Sequence, residues 1–394
     1  MVVYGLFGTG NTGNDATLEV TLQALRVHAP AARITVVTPA PEQTAADFGV
    51  AAVSNKLIEG PSRLPGPLGR LQSEAARWRS ARAMLATADC LLIPGTGILD
   101  DFGATVMGHA YQLWKWCAAA RGLGVPVKFV SVGAGPVEKP WSRRLFRAAA
   151  RAADHRSYRD QGSLAFARDV LGLDVSGDRV TPDMVFAMEA PAPAALSPPR
   201  SVGVGVMEYH NWLGAAEGGD AYAPYMEKLS TFAAGLLRQG MAIRILTGDT
   251  GDAAAADDLH RRLAALEPGR ASAVSRPHTP TLRALFSEIA GTDAVVATRY
   301  HTIVGALLCG RPAVSLGYAA KNRAVMEAFG LGQYCQNIWD FELSRLNADF
   351  AAVTVGDPSA SAQREAAARR LRTEVQQHLA SVIAEIGVGR ARAP

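Results

Sequence analysis

The sequence predicts an α/β protein made of two Rossmann-like domains facing a cleft. Three observations lead there. The chain has 394 residues, too many for one ordinary domain and a comfortable number for two. Short apolar runs alternate with longer helical segments, the signature of parallel sheets covered by helices. A proline-rich stretch, AMEAPAPAALSPPR over residues 187–200, fits neither a helix nor a central strand and reads as an interdomain linker. The expected division is 1–190 for an N-terminal Rossmann-like domain, 191–200 for the linker, 201–355 for a C-terminal Rossmann-like domain, and 356–394 for a terminal helix with a frayed tail.

In the first half, strands are expected at Val2 to Phe7, Arg33 to Thr38, Cys90 to Ile93, Val127 to Val132 and His155 to Tyr158. Helices are expected at Asn14 to His28, Leu68 to Ala88, Ala104 to Arg121 and Trp141 to Ala153. In the second half, strands are expected at Ser201 to Met207, Ala242 to Leu246, Ala294 to Ala297 and Ala313 to Leu316. The helices there are Tyr225 to Gln239, Ala253 to Leu266, Thr281 to Ile289, Thr302 to Cys309 and a long one from Ala360 to Ile386. Ligands of open α/β sheets bind outside the carboxyl ends of the strands, so the strand-end loops carry the chemistry.

Composition narrows the class. Hydrophobic residues make up 48% and charged residues 19%, enough apolar material for a core in each half and unlike a disordered chain. The net charge of +4 comes without aromatic-interleaved basic runs, which argues against nucleic-acid binding. Cys90, Cys117, Cys309 and Cys335 are far apart and form no CxxC pair. Buried free thiols and a reducing compartment fit that usage. Met1 to Phe7 is too short for a signal peptide and reads as a first strand, and no apolar run approaches the ~20 residues of a membrane span. A soluble, cytoplasmic protein is the expectation. The arginines of the helices at 68–88 and 141–153 read as solvated faces. A peripheral contact with anionic lipid on the inner face of the membrane is the lesser alternative.

Several strand ends are glycine-rich. Gly8-Thr9-Gly10-Asn11-Thr12-Gly13-Asn14-Asp15 lies between a strand and a helix, where glycine admits positive φ and a helix start offers N–H groups to an anion. Its glycines match GxGxxG, yet no acidic residue closes a second strand ~20 residues on. Asn14 or Asp15 could also simply cap the helix. Pro94-Gly95-Thr96-Gly97 and Gly133-Ala134-Gly135-Pro136 end two further strands. Arg159, in Ser157-Tyr158-Arg159-Asp160, either pairs locally with Asp160 or offers a bidentate fork to a carboxylate or phosphate.

The sharpest segment is Arg299-Tyr300-His301, at the carboxyl end of an apolar strand and the start of a helix. A helix N-terminus lowers the pKa of a nearby imidazole, and an arriving dianion raises it again. That combination suits a proton donor that charges when substrate binds. A lone histidine is more often a hydrogen-bonded core residue; the adjacent arginine at a strand end favours the site. After the next strand, Lys321 is either a surface charge or a point-charge phosphate binder. The other histidines show no metal-ligand spacing.

Together these segments resemble the polysaccharide pyruvyl transferase family, from Gly5 to about Gly332. GLFGTGNTGNDA is similar to the family's GNxGDEA start, IPGTGILDD to GGGxLxxD, and SVGAGP to GxGP. SYRDQGS resembles RDxxS, TPDMVF resembles PDxxF, and TRYHTIVGALLCGRPAVSLGYAAK resembles the RxH…A…G-P-V…Y-x-x-K block. The resemblance implies a GT-B-like glycosyltransferase architecture and phosphoenolpyruvate as co-substrate, with no metal and no other cofactor. It implies His301 as general acid, and Arg159 and Arg299 as holders of the donor's carboxylate and phosphate, with Lys321 as a further phosphate contact. The acceptor would be a sugar, free or lipid-linked, facing Gly10, Asn11, Gly13 and Asp15, with Thr96 and Gly97 also lining the cleft. Asn14-Asp15 stands where the family has Asp-Glu, Tyr300 replaces a commoner leucine, and Thr96 replaces a glycine. Two other functions fit the fold. One is a nucleotide-sugar glycosyltransferase, disfavoured because no convincing acidic pair is visible in the second domain to hold a ribose. The other is a non-catalytic binding protein, disfavoured by the intact Arg159, Arg299 and His301.

Overall fold

The computed structural model describes residues 1–56, 66–101, 105, 108–191, 201–209, 221–355 and 358–390. The Pro-rich linker beyond Pro191, the expected helix start at Ala104 and the last four residues of the tail lie outside them.

Contacts divide the chain into two compact units. The first holds Met1–Thr9, Thr17–Ala187 and Thr373–Pro394; the second holds Gly10–Ala16 and Met188–Arg372. The division differs from a cut at the Pro-rich segment in two places. The end of the glycine-rich turn groups with the second unit, and the last part of the terminal helix groups with the first.

In chain order the first half runs β1 (Val2–Tyr4), α1 (Thr12–His28), β2 (Thr35–Thr38), α2 (Pro41–Phe48), β3 (Ala51–Ser54), α3 (Gly66–Leu85) and β4 (Leu91–Pro94). It continues with α4 (His109–Arg121), β5 (Val127–Val132), α5 (Pro140–Arg151), β6 (His155–Tyr158), α6 (Gln161–Asp169) and β7 (Arg179–Val180). Its strands form a seven-stranded sheet, ordered β3-β2-β1-β4-β5-β6-β7, with every pair parallel. The second half runs β8 (Ser201–Gly205), α7 (Tyr222–Arg238), β9 (Ala242–Leu246), α8 (Ala253–Leu266), β10 (Val274–Ser275), α9 (Leu282–Ala290) and β11 (Ala294–Ala297). Then come α10 (Tyr300–Leu308), β12 (Ala313–Gly317), α11 (Ala320–Ala328), β13 (Cys335–Asn337), α12 (Leu343–Thr354) and α13 (Pro358–Arg390). Its six-stranded sheet, ordered β10-β9-β8-β11-β12-β13, is also parallel throughout.

The central strands β4, β5, β11 and β12 are buried at every position. Helices cover both faces of such sheets, so these strands read as mainly apolar runs rather than alternating ones, with Lys128, Ser131 and Ser315 as the polar exceptions. In both sheets the order reverses beside the first strand, between β1 and β4 and between β8 and β11. A doubly wound sheet opens its ligand crevice at that reversal. The β11 end of the second reversal is where Arg299-Tyr300-His301 begins. All four cysteines are buried and free; burial holds the thiols of Cys90 and Cys309 up at about 12. Among the described residues no helix is long and apolar enough to cross a membrane.

The terminal helix α13 continues to Arg390, past the expected frayed start at Gly387. Its second half docks on the first unit through polar groups. Nε2 of His378 meets the Ser157 hydroxyl at 2.8 Å, its ring lies 5.4 Å from the His155 ring, and Lys128 donates to Glu385 at 2.6 Å. Burial, then the neighbouring His155 and Arg179, push His378 down to about 4. Burial likewise lowers His155. Folded His378 therefore holds its proton less tightly than the unfolded chain does, so stability is lost as pH falls from the ordinary value near ~6.5 towards about 4. Melting temperatures across that window are expected to fall more steeply for the wild type than for His378→Gln. Parallel profiles would contradict this account.

Candidate functional site

The second unit carries the histidine. Strand β11 ends at Ala297, Arg299 is extended at the helix start (φ −66°, ψ 133°), and α10 begins at Tyr300. His301 is thus the second residue of α10, which starts two residues before the expected helix start at Thr302. Its imidazole rests on Gly13. A Cβ added at Gly13 would come within 1.9 Å of His301 Cε1 and 2.2 Å of Nδ1. Gly13 is therefore required by a close approach: its φ is not positive. The Tyr300 ring meets the imidazole edge-on, with centroids 5.1 Å apart.

The glycine-rich segment is pinned to the turn after β9. Thr12 donates its hydroxyl to the Gly248 carbonyl at 2.7 Å. The Thr250 amide and hydroxyl both donate to the Gly10 carbonyl at 3.4 Å. Gly10 has φ +90°, and a Cβ there would lie 2.5 Å from Thr250 Oγ1. Asn11, expected to face the acceptor, is committed instead to structure. Its Oδ1 accepts from the amides of Gly13 and Asn14, both at 3.1 Å, and its Nδ2 donates to Asp249 at 3.2 Å. Asn11 is thus the cap of α1, a job the sequence suggested for Asn14 or Asp15. Asp15 lies in the first turn of α1, its amide on the Asn11 carbonyl at 3.2 Å.

Arg299 is fixed by a carboxylate that sequence reasoning missed. Its Nε and Nη2 donate to the two oxygens of Asp252 at 2.8 and 2.6 Å, and Asp252 is fully buried. Burial raises the Asp252 carboxyl, with Arg299 pulling it back. Burial opposes the charge on Arg299 too, but the Asp252 carboxylate outweighs it and the guanidinium pKa is raised. The pair uses one edge of the guanidinium and leaves Nη1 outside it. Asp252 also accepts from the Glu208 amide at 3.1 Å. The segment TGDTGD after β9 thus supplies two carboxylates, Asp249 and Asp252, that the sequence reading did not single out. Both are engaged by protein groups. The one available signal was a Gly-Asp cluster at a strand end.

Lys321 stands in the first turn of α11. Its ammonium lies 5.5 Å from the centre of the Tyr300 ring and 4.9 Å from that of Tyr318, a cation–π seat. No carboxylate among the described residues pairs with it. The strand end beneath is held by Asn322, whose Nδ2 donates to the Thr298 carbonyl at 3.0 Å, and by Tyr225, whose hydroxyl meets that of Thr298 at 3.1 Å. Burial pushes the Tyr225 phenol up to about 12.

In the first unit, Arg159, Thr96 and Gly97 belong to an interlocked set of strand ends. The Arg159 guanidinium lies flat on Gly133, where a Cβ would come within 2.6 Å of Cζ. It faces Asp160 at 3.5 Å and the buried Asp183 at 3.6 Å. Asp160 caps α6 by accepting from the Ser163 amide, and the Ser163 hydroxyl accepts from the Ala134 amide at 3.1 Å. Gly133 donates to the Thr96 carbonyl at 2.7 Å. Arg159 thus lies beside two carboxylates, and Asp160 does the local capping. Thr96 holds φ +65°, a strained position for a β-branched residue. That explains why a glycine is at home there. Gly97 is closed in by Asp100, whose Oδ2 would be 2.6 Å from a Cβ. His109 donates through Nε2 to the Ile98 carbonyl, 2.6 Å away, in the core under this loop.

Chemically, the second unit presents an imidazole seated on backbone, a lysine over two tyrosine rings and an arginine already neutralised by its partner. Among the described residues no cluster of His, Cys, Asp and Glu could hold a metal ion.

No curated protein matches the chain. Solved structures resemble it over nearly its whole length at low identity. HepE from Anabaena, in complex with UDP and glucose, shares 15% identity over 100% of this chain and 99% of its own, with a TM-score of 0.59. UDP-GlcNAc 2-epimerase from Neisseria meningitidis, bound to UDP-GlcNAc, shares 13% over 99% and 100%, TM-score 0.59. MurG from Acinetobacter baumannii shares 14% over 98% and 99%, TM-score 0.56. Such likeness speaks for the fold, the GT-B arrangement of two Rossmann-like domains. The sequence profile of polysaccharide pyruvyl transferases matches residues 11–319, from the capping Asn11 through His301 to the strand end beside Lys321. The chain belongs to the polysaccharide pyruvyl transferase family and is a transferase.

Proposed function

We propose that the protein transfers the pyruvyl group of phosphoenolpyruvate to two hydroxyls of a sugar, closing a pyruvate ketal. The observation that carries the reading is His301, pressed on Gly13 and flanked through Tyr300 by the Lys321 ammonium. That geometry supports reading His301 as a proton donor beside a cation suited to a phosphate.

His301 protonates the methylene carbon of the enol phosphate, and positive charge builds at the neighbouring carbon. A sugar hydroxyl adds there, the bond from that carbon to the phosphate oxygen breaks, and a second hydroxyl takes the vacated place. One hydroxyl proton restores His301 and the other leaves with phosphate, so the sum is donor plus diol giving ketal plus phosphate. Lys321 is the better phosphate contact of the second unit, because Arg299 is shared with Asp252. Arg299 then acts through Nη1 and by holding the start of α10. Arg159 remains the family's carboxylate holder by position. Of the N-terminal residues, Asp15 is the better acceptor contact, since Asn11 is occupied by capping. The acceptor is a free or lipid-linked sugar, handled on the cytoplasmic side.

A nucleotide-sugar donor is the second reading, favoured by the UDP and UDP-GlcNAc held by HepE and the epimerase. The commitment of Asp249 and Asp252 to protein partners counts against it.

His301→Gln tests the assignment. It should keep phosphoenolpyruvate binding, read as an unchanged ligand-induced melting shift, and lose about 10²–10⁴-fold in turnover. Wild-type turnover in this variant would exclude His301 as the acid.

A further inference from the structure

At the carboxyl ends of β12 and β13 lies a cavity that the proposed chemistry does not use. It has a volume of about 380 Å³, at the small end of ligand pockets, which run to about 300–1,000 Å³. Ala320 and Ala324 give it an apolar lining; Arg323, Glu327 and Asn337 add polar groups, and Trp339 adds an indole. Trp339 is 46% exposed, the one aromatic among the large apolar side chains left exposed in the described residues. An indole left in water forgoes a large burial gain.

The polar groups are held in place. Arg323 donates to the carbonyls of Gly332 and Cys335 at 3.2 and 3.1 Å. The stem of Glu327 lies against Gly332, where a Cβ would come within 2.6 Å of its Cγ. One cation and one anion leave the lining without net charge, which suits a neutral ligand better than a phosphate ester.

We propose that this cavity is a carbohydrate subsite that takes a neutral pyranose ring. The C–H face of a pyranose is apolar and slightly positive, matching the negative face of an indole. Its edge is a ring of hydroxyls, matching the Asn337 amide and the Glu327 carboxylate. The subsite adjoins the proposed donor site. Ala320, Arg323, Ala324 and Glu327 recur at three- and four-residue spacing along one flank of α11, and Lys321 stands on the next. Assigning the bound sugar to the acceptor glycan rests on the pyruvyl transferase reading; sugar binding itself does not.

Saturation-transfer NMR on the full chain tests this, with lactose, maltose and N,N′-diacetylchitobiose each at about 10 mM, a weak-binding range. The ring protons of at least one disaccharide should be saturated by the wild type. Trp339→Ala should reduce that signal by about fivefold or more, the loss expected of a central aromatic anchor, and Trp339→Phe should keep most of it. No signal with any of the three sugars, an undiminished signal in Trp339→Ala, or displacement by UDP would overturn the proposal. Melting shifts with phosphoenolpyruvate, read on the same samples, separate the two ideas. Sugar signals without a phosphoenolpyruvate shift would sink the donor reading alone. A phosphoenolpyruvate shift without sugar signals would sink the subsite alone.

Discussion

Gly13→Ala is expected to lower turnover by about a hundredfold, the cost of misplacing a catalytic group by an ångström, while leaving the fold in place. A methyl at that position meets the His301 ring at 1.9 Å, so the imidazole must swing away. The backbone does not object, because Gly13 sits in the first turn of α1 without a positive φ. Alanine in a helix gains about 1 kcal/mol over glycine, which offsets part of the about 1–3 kcal/mol of overpacking. The melting temperature should therefore move by only a few degrees. Turnover and thermal denaturation, measured on the same preparation, separate this outcome from simple unfolding. Unchanged turnover would mean that the imidazole position does not matter to the reaction.

Asp252→Ala is expected to be the most damaging substitution to stability. It strands the Arg299 guanidinium, only 19% exposed, without its partner, and breaking a buried pair costs about 3–5 kcal/mol. For a unit of this size that is a fall of about 10 °C in melting temperature. Arg299→Ala should cost nearly as much, since it strands the buried carboxylate instead. Loss of activity in Arg299→Ala therefore does not by itself report a donor contact. The paired change Asp252→Leu with Arg299→Met removes both charges and should recover most of the stability. Turnover in that double variant isolates what Arg299 contributes beyond holding the loop. Thermal denaturation in which Asp252→Ala melts like the wild type would contradict the burial of the pair.

The sequence was most readable where one physical cue dominated. Val127–Val132, Ala242–Leu246 and Ala294–Ala297 form strands at the expected positions, because each is mostly apolar and stops at the first glycine or threonine. Pro41–Phe48 and Ala51–Ser54 were not expected. Ala51–Ser54 is an edge strand without a fully buried position, so nothing in its composition marks it; only pairing with β2 defines it. Cys335–Asn337 escaped for the same reason, being short, polar and at the other sheet's edge.

In the site, the strand-end glycines were visible but their causes were not. Gly13 looked like a turn residue and proves to be a seat for a ring 288 positions later in the chain. Asp252 looked like part of a polar turn, because a buried ion pair leaves no local pattern. Lys321 was visible as a cation after a strand, and Tyr318 three residues earlier gave a hint of its seat. The cavity beside Trp339 had no signature, since its lining comes from three separate elements.

The central claim is the donor, and thermal melting with phosphoenolpyruvate against UDP-glucose and UDP-GlcNAc tests it most directly. A ligand that binds only the folded protein stabilises it by about 2.7 kcal/mol at a hundredfold excess over its dissociation constant, a rise of several degrees. Phosphoenolpyruvate should produce that rise, weakened in Lys321→Ala, and the nucleotide sugars should produce none. No shift with phosphoenolpyruvate at millimolar levels, together with a rise for either nucleotide sugar, would contradict the account.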